Sequence, residues 1–138
     1  MSYNSGASDS GPDAHCSNKD YNFFYDGLSE GKLLIQKCDS CGELRTPPGP
    51  MCPKCNSLKW TAVPAKGTGK VYSYTIHHYP PLPNYETPHP VAVVEMAEGV
   101  RFLGAVFDIP VDKVAIGLPV KAVFSKMGKL PMFHFVPA

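Results

Sequence analysis

No stretch of this 138-residue chain approaches the roughly twenty consecutive apolar residues that a membrane-spanning helix requires, and neither end carries a lipidation motif. A membrane partner is therefore not expected. The opening residues, rich in Ser, Gly, Asn and Asp, lack the basic start and apolar run of a secretory signal, so a reducing, cytoplasmic setting is expected. Positive charge is not in excess either. Thirteen Lys and Arg stand against twelve Asp and Glu, a formal net charge of +1, whereas a protein that tracks phosphates usually carries a basic stripe. The chain also has no Gly-x-Ser-x-Gly elbow and no phosphate-cradling glycine loop, so no catalytic residue is assigned. His77 and His78 could pair with Glu86 or Glu95 in acid-base work, but neighbours on a strand point to opposite faces, so at most one meets a given pocket.

What the chain does have is cysteine in one pattern. Cys38, Cys41, Cys52 and Cys55 stand as C-x2-C-x10-C-x2-C, a spacing that reads as a four-thiolate tetrahedral zinc site. Gly42 and Asn56, each following a pair, tolerate the positive φ that a metal knuckle requires. Four thiolates fill the tetrahedron and leave no position for substrate, so the metal has a folding role. Cys16 has no nearby partner and reads as a free thiol.

Three segments follow from composition. Residues 1–20 hold almost no apolar side chains and read as a flexible tail; residues 21–64 hold an aromatic helix plus a zinc ribbon; residues 65–138 alternate as strands. Phe24 and Leu28 lie one helical turn apart beside Phe23 and Tyr25, and Gly31 is placed to end the helix after Glu30. This aromatic face suits either the chain's own ribbon or a partner. Trp60 is the single tryptophan, and it is expected to cover the metal site or the ribbon's seam with the next domain.

Beyond Gly69, five strands are expected: 70–78, 91–96, 100–107, 120–124 and 132–136. Alternation in the first sets Val71, Ser73 and Thr75 against Tyr72, Tyr74 and Ile76. The second and third strands form a hairpin through Ala97-Glu98-Gly99, and Pro110 suits a short helical turn between the third and fourth. This is the pattern of a small Greek-key barrel of the OB type. The loop YPPLPNYETPHP, residues 79–90, holds five prolines among twelve residues; its stiffness lowers the entropy lost on docking, and Tyr79, Leu82 and Tyr85 offer apolar contact with it. In the last strand, alternation sends one of Phe133 and His134 inward and the other outward.

The run FFYDGLSEGKLLIQKCDSCGELRTPPGPMCPKCNS, then GTGKVYSYTIHH, then VRFLGAVFDIPVDKVAIGLPVKAVF, resembles a family of rubredoxin-like zinc-ribbon plus OB-fold proteins, long filed as a domain of unknown function and now described as acyl-CoA-associated. The resemblance covers about residues 21–138. It implies a mainly β fold, an N-terminal helix and zinc ribbon followed by a five-stranded OB barrel. It also implies a non-catalytic accessory subunit of a thiolase-fold enzyme, an acyl-CoA thiolase or thiolase-like aldolase, in a hetero-oligomer that binds a CoA thioester. The candidate contacts to partner or acyl-CoA are then Phe23, Phe24, Tyr25, Leu28, Tyr79, Leu82 and Tyr85. A competing expectation is a single-stranded nucleic-acid binder that uses Tyr72 and Tyr74 as a stacking platform.

Overall fold

The computed structural model describes residues 19–81, 85–127 and 130–138, with no account of the Met127 side chain. The tail, Cys16 and Leu82 lie outside the described residues, apart from Lys19 and Asp20. These two open a 3-10 turn, Lys19–Tyr21, that runs into helix α1, Asn22–Ser29. The helix stops at Gly31, whose φ of 73° lies in the left-handed region that glycine adopts at least cost. Gly31 N–H donates to the Leu28 carbonyl and Lys32 N–H to the Gly27 carbonyl, the paired bonds of a Schellman cap. Gly27 matters for packing instead. A Cβ there would lie 2.6 Å from a Leu34 methyl, so its bareness lets the helix press onto the next strand.

That strand, β1 (Leu34–Cys38), is the centre of a three-stranded antiparallel ribbon with β2 (Leu44–Arg45) and β3 (Trp60–Pro64) at its sides. A buried polar knot braces it. Gln36 Oε1 accepts from Arg45 Nε at 2.9 Å and from Gly49 N–H at 2.9 Å, and Arg45 Nη2 donates to the Gly49 carbonyl at 3.2 Å. Both side chains are buried, which ties the proline-rich crossing to the ribbon.

The second sheet runs β6-β5-β4-β7-β8, from β4 (Thr68–His77), β5 (His89–Met96), β6 (Arg101–Ala105), β7 (Pro119–Met127) and β8 (Leu130–Pro137). All five expected strands are present, and the short turn between the third and fourth is a 3-10 helix, Val111–Lys113, led by Pro110. A parallel bridge, Val106 to Phe135, with Phe107 N–H on the Phe135 carbonyl at 2.8 Å, joins the two ends of the sheet and closes an OB barrel. Val71, Val94, Val106, Val120 and Phe135 fill its interior.

The alternation expected for β4 does not hold throughout. A register shift between Val71 and Ser73 pairs Val71 with Val94 but Tyr74 with Ala92, so beyond the bulge the parity flips and Tyr74 shares a face with Val71. Tyr72 is left apart, with the Arg101 guanidinium 3.7 Å from its ring centre. Tyr72 and Tyr74 therefore do not form one platform. The other edge of Val71 explains the Ile-Gly-Leu-Pro-Val phrase: Gly117 N–H donates to the Val71 carbonyl and Val71 N–H to the Leu118 carbonyl, which delivers the chain into β7.

Helix α1 joins ribbon to barrel. Phe24 meets Phe102 and Phe133 of the barrel at 6.1 and 6.0 Å, and with Leu28, Leu33 and Ile35 it merges both sheets into one core. Phe23 reaches the other way, 4.7 Å from Trp60 on β3. Among the described residues, no helix is long and apolar enough to cross a membrane.

Candidate metal centre

The two cysteine pairs sit on two equivalent turns. In the first, Cys38 N–H donates to the Glu43 carbonyl and Gly42 N–H to the Cys38 carbonyl; in the second, Cys52 N–H donates to the Ser57 carbonyl and Asn56 N–H to the Cys52 carbonyl, all at 2.9 Å. Gly42 at φ 77° and Asn56 at φ 61° make the left-handed step in each. The repeat brings four sulfurs within 4.8 Å of one another, with Cys38 to Cys55 at 3.5 Å and Cys41 to Cys52 at 3.6 Å. A tetrahedral zinc bonded to four sulfurs at about 2.3 Å sets sulfur separations of about 3.8 Å, so the donor set fits the ion.

Electrostatics points the same way. The Cys41 N–H aimed at Cys38 is the largest influence lowering that thiol to about 6, and the Cys55 N–H likewise lowers Cys52. Cys55 is pushed up to about 12 although the Ser57 N–H works to lower it, because the Cys38 sulfur and burial favour the neutral thiol more strongly. Cys41 is raised too: the Glu43 N–H opposes the shift, while burial and the sulfurs of Cys52 and Cys38 drive it. Four thiols this close ionise together only around a cation, which is the service a divalent metal supplies. Cys38 and Cys52 are buried and Cys41 and Cys55 exposed, so the centre sits at the ribbon's outer edge with a closed coordination shell. It is a structural zinc site.

The remaining candidates scatter. Phe24 and Leu28 are core residues, 8% and 4% exposed, and of the two settings expected for the helix face they take packing within the chain. Phe23 and Tyr25 are half-buried on the helix flanks. Trp60 serves the seam, but with the helix. Tyr79 stands 83% exposed at the start of its loop, whereas Tyr85 folds back to lie 5.3 Å from the His89 ring and 5.6 Å from Phe107. Phe133 turns in, against Phe24, Phe102 and Phe135, and His134 turns the other way, 5.0 Å from Phe107. Of the glutamates considered for His77 and His78, Glu95 pairs with Arg101 at 3.2 Å, and Glu86 meets His89 through its backbone carbonyl, not its carboxylate. Sequence reasoning misses buried His89, because its Thr-Pro-His-Pro setting reads as loop.

Ribbon, helix and barrel together define a metal-stapled zinc-ribbon and OB-fold module without an evident catalytic constellation among the described residues. Residues 26–61 match the ChsH2 rubredoxin-like zinc ribbon domain and residues 62–125 the ChsH2 C-terminal OB-fold domain. The solved structure "Ltp2-ChsH2(DUF35) aldolase" contains a chain 42% identical to this one, with a TM-score of 0.82 over 87% of this chain and 95% of that chain. The chain belongs to this ChsH2-type DUF35 family. It is 47% identical over 103 residues to "Probable enoyl-CoA hydratase alpha subunit" of Thermomonospora curvata, a match covering 75% of this chain but only 32% of that protein. It thus spans about a third of that relative's length. A DUF35 domain-containing scaffold protein of Methanocaldococcus jannaschii is 33% identical over 97 residues, 69% of each chain.

Proposed function

We propose that this protein is a non-catalytic accessory subunit of a thiolase-fold enzyme, either an acyl-CoA thiolase or a thiolase-like aldolase, working in the cytoplasm. The observation that carries the reading is the likeness to the Ltp2-ChsH2(DUF35) aldolase, which extends over 95% of the matched chain rather than over a shared fragment. In such an assembly the making or breaking of carbon-carbon bonds belongs to the large partner. This chain supplies a rigid body: zinc fixes the ribbon, α1 locks ribbon to barrel, and the surface so held completes the complex and helps shape the route of the CoA thioester. Preorganisation of this kind lowers the entropy lost on association. Tyr79, with Phe23, Tyr25 and Tyr85 on partly exposed flanks, is the set of contacts offered to partner or acyl-CoA.

Affinity capture with the tagged full chain from its native lysate, followed by mass spectrometry, tests the reading. A thiolase-fold subunit in stoichiometric amount is expected. Recovery of nucleic acid that salt releases, with no large protein, would favour a single-strand binder instead.

A further inference from the structure

At the far end of β4 two histidines meet that the ribbon zinc does not use. His77 and His89 are register partners across the β4–β5 ladder, with ring centres 5.1 Å apart. Each ring spends one nitrogen on the intervening loop: His77 Nε2 lies 2.7 Å from the Pro80 carbonyl oxygen and His89 Nδ1 2.9 Å from that of Glu86. A carbonyl oxygen only accepts, so the ring nitrogen is the donor in both bonds. The second nitrogen of each neutral imidazole, His77 Nδ1 and His89 Nε2, then carries an uncommitted lone pair.

This is the arrangement by which proteins orient histidines for metals, the remote N–H held by a backbone carbonyl that fixes both tautomer and ring. The separation agrees with it. Two imidazoles bonded at about 2.0–2.1 Å to one tetrahedral ion place their ring centres about 5.2 Å apart. The rings are inclined at 40°, neither stacked nor edge-to-face, so ring-ring attraction alone does not account for the pose. His89 is 5% exposed and walled by Tyr85 and Phe107, which restricts its rotamers, while His77 is half-buried and keeps the pair open to solvent on one side.

We propose that His77 and His89 form a second metal site, taking a borderline divalent cation such as zinc or nickel with water completing its shell. Imidazole suits ions of this class. A bound ion ties the last residue of β4 to the first of β5 and so clamps the base of the proline-rich loop that presents Tyr79. With two protein ligands rather than four, it binds more weakly than the thiolate centre and exchanges while that centre stays loaded.

Equilibrium dialysis of the zinc-loaded full chain against zinc alone, with the metal counted by atomic spectroscopy, is the test. A second zinc is expected in the wild type and in His78→Ala, and its loss in His77→Ala, whose ribbon zinc should be unchanged. In parallel, the 15N resonances of both imidazoles in the wild type should shift on adding zinc, a readout that does not depend on how the variant folds. No second zinc, a second zinc that survives His77→Ala, or unmoved imidazole resonances would overturn the site.

Discussion

Replacing Phe24 by Ala separates two roles for the aromatic helix, mortar inside the chain or face for a partner. Its ring is 8% exposed and rests between Phe102 and Phe133 at about 6 Å. Truncating a buried Phe costs about 3–5 kcal/mol, and each lost aromatic pair accounts for about 0.5–1.5 kcal/mol of that. A loss of about 4 kcal/mol, the middle of that range, is expected. Against a total stability of about 5–15 kcal/mol, this is large. The assay is urea unfolding followed by fluorescence of Trp60. The midpoint should fall by more than about 1 M, with zinc content unchanged in the folded state because no cysteine is touched. A loss below about 1 kcal/mol would refute the reasoning and return Phe24 to the surface.

Other substitutions probe the remaining joints. Cys52→Ser should abolish stoichiometric zinc by atomic spectroscopy and melt the ribbon's circular dichroism, because zinc-ribbon folding draws on a binding energy of about 10–16 kcal/mol. Gln36→Ala removes the oxygen that accepts from both Arg45 and Gly49, leaving the buried guanidinium only its bond to the Gly49 carbonyl; a loss of about 1–3 kcal/mol is expected in denaturant unfolding. Burial holds the His134 imidazole below the ordinary histidine value of 6.5, with Asp108 pulling it back up. The folded state therefore binds fewer protons than the unfolded one, so stability should be complete above that value and decline as pH falls through the lower folded value. His134→Gln should flatten this decline in unfolding midpoints measured between about pH 7 and pH 5.

The sequence is most legible where chemistry is local. Knuckle turns are set by Cys spacing and by Gly42 and Asn56, and the five barrel strands by alternation and glycine punctuation. It is least legible where a contact comes from far along the chain. Phe24 and Leu28 form an apolar face whether they meet the barrel or another protein, and only closure of the barrel around Phe102 and Phe133 decides between them. The bulge after Val71 is a backbone event with no composition signal, driven by pairing to both β5 and the Gly117-Leu118 turn, and it overturns the parity expected for Tyr72 and Tyr74. The burial of Gln36 and Arg45 leaves no signal in composition, because it depends on the proline crossing folding back to bring the Gly49 N–H and carbonyl to them. His89 is hidden by the prolines beside it, although its register partner His77 stands at the end of a plain strand pattern.

Turnover of an acyl-CoA substrate by the captured large subunit, measured with and without this chain, tests the central claim most directly. The accessory-subunit account predicts no turnover by this chain alone, and activity of the partner that depends on adding it back. Turnover by the isolated chain, or a partner equally active and stable without it, would contradict the account.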